Sequence, residues 1–144
     1  AILSAIYDFP INDYDLYFEC EEDRHNCYLE LLSIGADITW NSENAISLSC
    51  EGKKFQLIGS FYGNRIDILN SFDFNICQIG LCLVEQDVVT AEDYPSFHYP
   101  EVKLNPKYNR RLDLRRVDKY KSRGFSFDEN SIKNYSDGKL EEYY

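Results

Sequence analysis

The sequence predicts an α+β domain with a mixed central sheet and flanking helices. Three observations carry this prediction. Short segments with apolar alternation follow one another between residues 13 and 58. Segments with helical spacing lie before, between and after them. The 144 residues are 44% apolar and 15% aromatic, which supplies one domain with a core and excludes a disordered chain.

Residues 1–7 read as the end of a helix, closed by Pro10. Residues 13–19 read as a strand with Tyr14, Leu16 and Phe18 on one side and Asp13, Asp15 and Tyr17 on the other. Residues 21–34 have helical spacing through Cys27, Leu31 and Ile34, and Gly35 stops them. Residues 36–40, 45–50 and 53–58 are three short strands, the last two joined by a Glu51-Gly52 turn. Residues 64–70 hold one or two helical turns. Residues 72–84 are the most apolar run, a buried strand or a strand entering a helix. Residues 85–109 show mixed signals with three prolines and read as a long loop or hairpin insert. Residues 110–123 form a helix stopped by Gly124, with Leu114, Val117 and Tyr120 as its buried stripe. The sequence therefore divides into a body, 1–125, and a weakly structured tail, 126–144.

The net charge of −10 is unevenly spread. Residues 1–100 carry seventeen acidic and four basic side chains, and residues 101–144 carry eight acidic and eleven basic. Nine of those bases lie between positions 103 and 123. Such a chain can meet a polyanion locally, while its bulk acidity argues against tight non-specific duplex DNA binding. The alternative for the basic segment is a solvated helix face. The five cysteines, Cys20, Cys27, Cys50, Cys77 and Cys82, are an odd number without a Cys-x-x-Cys pair. This speaks against a disulfide framework or a structural zinc site and for a reducing compartment. No apolar run reaches the roughly 20 residues of a membrane span and no signal peptide is visible, so a cytoplasmic protein without membrane contact is expected. His25 reads as a surface residue and His98 as part of a packed aromatic loop with Tyr94, Phe97 and Tyr99. Cys77 and Cys82 read as buried thiols.

The sharpest feature is Asp13-Tyr14-Asp15. Strand alternation puts both carboxylates on one face, roughly 6.5–7 Å apart along the strand. Their repulsion is offset by a bound cation, for which Mg²⁺ (or Mn²⁺) is the natural choice, or else the acidic face lies in water on an edge strand.

Residues 1–12, with Pro10-Ile11-Asn12-Asp13-Tyr14-Asp15-Leu16-Tyr17-Phe18, resemble the helix, loop and catalytic strand of the DNA polymerase beta (nucleotidyltransferase) superfamily. The likeness is to the head domain of CCA-adding tRNA nucleotidyltransferases and bacterial poly(A) polymerases. Ser71-Phe72-Asp73-Phe74-Asn75-Ile76-Cys77 resembles a second motif of that family, and Arg115-Arg116-Val117-Asp118-Lys119-Tyr120-Lys121-Ser122-Arg123-Gly124-Phe125 its basic helix. The resemblance implies a nucleotidyltransferase-type fold over 1–125 and metal-dependent transfer of a nucleoside monophosphate from a nucleoside triphosphate to an RNA or protein acceptor. Asp13 and Asp15 would hold the metal and Asp73 would assist. Arg115, Arg116, Lys119, Arg123 and Asn75 would bind nucleotide or phosphate. The family's Gly-Gly pair would fall before Ala1, and the absence of any methionine leads to the expectation that upstream residues exist. Leu3-Ser4 replaces the family's Arg-Asp, and Gln56 stands where many members have a third acid. The alternative is a non-catalytic module of the same fold, binding nucleic acid or serving in assembly. The Tyr, Asn and Ile content fits a viral or AT-rich genome, in which case the site of action is the host cytoplasm.

Overall fold

The structure, a computed structural model, describes residues 2–11, 13–95 and 100–142, with the side chains of 136–142 outside the description. Ala1 and Asn12 of the first motif, and the packed loop expected around Phe97, His98 and Tyr99, lie outside the described residues. The fold is α+β, as the alternating pattern predicts. It divides into two compact units, residues 1–68 and residues 69–144.

The first unit holds α1 (Ile2–Ile6), β1 (Tyr14–Phe18), α2 (Glu21–Ser33), β2 (Asp37–Asn41), β3 (Ala45–Cys50) and β4 (Lys53–Tyr62). The strands form one mixed sheet in the order β1-β4-β3-β2. The β3–β4 hairpin turns on Glu51 and Gly52, both at positive φ, the backbone that matches the twist of the flanking strands. β1 joins the other side of β4 in parallel, a connection that needs a long crossover, here supplied by α2 and the β2–β3 ribbon. Glu21, Glu22 and Asp23 occupy the first turn of α2, where the helix dipole favours negative charge. Gly35, at φ +95°, closes the helix as its N–H reaches the Leu32 carbonyl at 3.1 Å and that of Ala36 reaches Leu31 at 3.0 Å. Cys27, Tyr28, Leu31 and Leu32 of α2 pack around the buried Leu48 and Leu57, joined by Leu16 and Phe18.

The last strand runs four residues past its expected end at Ile58. Gly59 continues the ladder instead of breaking it. A Cβ there would stand 2.6 Å from the Arg24 guanidinium, so the missing side chain is the space that Arg24 fills. From there the Arg24 Nε donates to the Leu57 carbonyl at 3.2 Å.

Helix α3 (Arg65–Asn70) runs across the division between the units. The second unit continues with β5 (Ile79–Cys82), β6 (Asp87–Thr90), α4 (Leu114–Ser122) and α5 (Glu129–Glu142). Its core is Phe74, Ile76, Val102, Leu104, Val117, Tyr120, Phe125 and Ile132. Phe74 meets the rings of Tyr120 and Phe127 edge-on, at 5.9 and 5.4 Å between centroids. The tail from 126, expected to be weakly structured and a weak helix at best, holds a bridge between Val102 and Phe127 and then α5.

Two local expectations are corrected in this unit. Residues 72–84 are not one strand. The Asp73 carboxylate accepts from the Phe74 N–H at 2.9 Å and the Asn75 amide oxygen from Ile76 at 2.8 Å, so side chains take the place of ladder partners. A 3-10 turn, Asn75–Cys77, results, and only Ile79–Cys82 is strand. Helix α4 starts at Leu114, four residues late, because the Asp113 carboxylate caps it by accepting from the Arg115 N–H at 3.0 Å. Leu114 is 59% exposed; Val117 and Tyr120 are the buried pair, and Arg116 turns inward with them.

Candidate functional site

The sheet of the first unit has one face under α2 and a second, polar face. Register assigns the residues. Tyr14 lies beside Phe55 and Leu16 beside Leu57, on the apolar side. Asp15 lies beside Gln56, which pairs across to Ser47; one step away, Lys54 pairs with Ser49. Asp13 and Asp15 therefore share the polar face, as alternation predicts. Asp13 meets Lys54 at 3.7 Å, both side chains partly in water. Like-charge repulsion on this face is thus relieved by a lysine delivered from β4. At the far edge Trp40, the only tryptophan of the chain, is 60% exposed. It borders an open concavity of about 390 Å³ with Thr39, Ser49, Gly52, Lys53 and Lys54. Sequence reasoning passed over Trp40; a lone tryptophan between Thr39 and Asn41 was the available signal.

Asp73 belongs to the second unit, where it is buried at the centre of a part-buried cluster. The Arg116 guanidinium grips it with two bonds, Nε to Oδ2 at 2.6 Å and Nη2 to Oδ1 at 3.2 Å. The same Nη2 reaches the Cys77 sulfur at 3.7 Å, and the Cys77 thiol meets the Tyr120 hydroxyl at 3.4 Å. Burial, then the Asp73 charge, pushes the Cys77 thiol up to about 11, so at neutral pH it is protonated and no nucleophile. Burial, then Cys77, also raises the Tyr120 hydroxyl. Burial is the largest single influence and works against the Arg116 charge, but the bonds to Asp73 together with the electrostatic influence of Cys77, Asp73 and Tyr120 hold the guanidinium above its usual range. Next to the cluster, Asn105 donates to the Asn70 and Phe72 carbonyls at 2.7 and 2.9 Å, tying the chain around Asp73.

The other expected phosphate ligands are engaged inside their own unit. Arg115 returns to Asp113 at 3.1 Å, and its hydrogen bonds hold that carboxyl below the ordinary range. Lys119 and Arg123 stand over the Tyr120 ring at 5.4 and 5.9 Å. Lys121 pairs with Glu129 at 2.7 Å. Asn75 donates to the Glu101 carbonyl at 3.3 Å and accepts from the Lys103 N–H at 3.1 Å, so its amide ties two segments of backbone together. His25 is exposed.

Among the described residues no group of three or more His, Cys, Asp or Glu side chains could hold a metal ion, and no helix is long and apolar enough to cross a membrane. No curated protein matches the chain, and no solved structure does. A family model does match, over residues 1–96, and its family is not a nucleotidyltransferase family. This overturns the nucleotidyltransferase assignment and the magnesium-dependent nucleotidyl transfer that followed from it. The physical reason the motifs misled is local: an Asp-x-Asp strand and a basic helix arise equally where Lys54 pairs with Asp13 and where Arg116 is spent on Asp73. The matched residues cover two thirds of the sequence, and the chain belongs to the Gabija anti-defense 2 (Gad2) family.

Proposed function

We propose that this protein opposes the Gabija defence by binding one of its protein components and blocking it stoichiometrically, without turnover. The observation that carries the reading is the family match over residues 1–96. Those residues comprise the whole first unit and the β5–β6 hairpin of the second. Both elements expose large apolar side chains: Ile38 and Trp40 on β2, and Leu81, Leu83, Val84 and Val88 on the hairpin. Exposed apolar surface of this kind marks sites of protein contact. β2 is the outer strand of its sheet, and among the described residues no further strand pairs with its far edge.

The test has two steps. Expression of the chain in cells that carry a Gabija system should restore plating of a virus the system restricts. Purified chain titrated into purified Gabija proteins should then inhibit them linearly, with an end point at a fixed molar ratio that moves as more Gabija protein is added. Complete inhibition far below one equivalent would refute the stoichiometric reading.

A further inference from the structure

We infer that the tip of the β5–β6 hairpin inserts into an apolar groove, rimmed by lysine or arginine side chains, on the Gabija component; this rests on the binding reading above. The register of the hairpin carries the first part. Ile79 pairs with Thr90 and Leu81 with Val88, so all four lie on one face of the ribbon. Ile79, at the base, is buried, whereas Leu81 and Val88 are more than half exposed. The core-facing side of the hairpin thus continues outward beyond the core that covers it. It ends in a turn over residues 83–86, where Leu83 and Val84 point into solvent and Val84 is 90% exposed.

The ribbon is anchored. The Ala91 N–H donates to the Gln78 carbonyl at 3.0 Å, and the Tyr94 hydroxyl to the Ile76 carbonyl at 2.8 Å. A tip presented on a paired and anchored ribbon loses little freedom on docking.

Charge selects the occupant. Residues 79–93 contain Glu85, Asp87, Glu92 and Asp93, and no lysine or arginine occurs from position 66 to position 102. An apolar tip with an acidic collar is complementary to an apolar groove with a basic rim. A second copy of this chain would bring the same carboxylates face to face, a like-charge arrangement that disfavours it.

Purified Gabija proteins are the probe, with the full chain as titrant. Leu83→Asp/Val84→Asp should weaken binding at least 100-fold, the scale of a central anchor. Glu85→Lys/Asp87→Lys should weaken it roughly tenfold and flatten its salt dependence. All these side chains are exposed, so circular dichroism should match the parent, and Val84→Ser provides a milder variant that removes the anchor without adding charge. Parent binding that survives both hairpin variants overturns the hairpin assignment and leaves the binding reading standing. No parent binding overturns both. A parent dimer that Val84→Asp dissociates would assign the tip to a second copy and overturn the inference.

Discussion

Replacing Arg116 with methionine should be among the most damaging single substitutions in the second unit. Asp73 is buried and accepts three bonds, two from Arg116 and one from the Phe74 N–H. Methionine fills most of the volume but leaves a buried carboxylate with one donor. Breaking one partner of such a pair costs about 3–5 kcal/mol, against a total stability of about 5–15 kcal/mol. With a urea dependence of about 2 kcal/mol per molar, the midpoint should fall by about 2 M. Asp73→Asn should also destabilise, because an amide cannot accept the fork in the same way. The double variant, Asp73→Asn/Arg116→Met, removes the stranded charge and should cost clearly less than the sum of the two. Urea titrations of the four proteins, followed by the helical circular dichroism signal, give the cycle. An Arg116→Met midpoint within about 0.5 M of the parent, or strictly additive effects, would mean that the pair contributes no more than a surface ion pair.

Three further outcomes follow from the same geometry. Leu57→Ala should cost about 2–5 kcal/mol, since Leu57 is fully buried at the centre of the first unit's core; thermal or urea unfolding reads this. Gly59→Ala should displace the Arg24 guanidinium and cost about 1 kcal/mol through the lost bond to Leu57, and the penalty should shrink in an Arg24→Ala background. The Cys77 thiol, raised in the fold, stays protonated there while it ionises in the unfolded chain, so its contribution is complete below its ordinary range near 9 and is lost as pH rises through about 11. Stability measured from pH 8 to pH 11 should fall by up to about 2–3 kcal/mol from this group, and Cys77→Ala should remove that component of the slope.

What was legible in the sequence was local. The alternation of Tyr14, Leu16 and Phe18 made a strand and put Asp13 and Asp15 on one face, because each side chain's direction depends only on its neighbours. The Glu51-Gly52 turn and the Gly35 stop were readable for the same reason. What escaped were choices made by distant residues. Gly59 looks like a breaker until Arg24, thirty-five positions earlier, takes its missing volume. Arg116 looks like a phosphate ligand until Asp73, forty-three positions earlier, claims it. Leu114 fits the helical stripe, but the Asp113 cap begins the helix there and leaves it outside the core. For the candidate site, same-face carboxylates were deduced correctly while their chemistry was not, since Lys54 reaches Asp13 only through sheet register.

The position of Trp40 also gives the protein a built-in optical probe. It is the only indole in the chain, so every photon of tryptophan emission reports on strand β2 and on nothing else. More than half of its surface meets water, which places its emission at the red, solvent-relaxed end and leaves it open to iodide or acrylamide quenching. Any partner that covers the outer edge of the sheet would shift that emission to the blue and shield it from the quencher. A partner that leaves that edge uncovered would leave both signals where they are. Cover of the β2 edge can therefore be read in a cuvette, without labelling and without altering a residue.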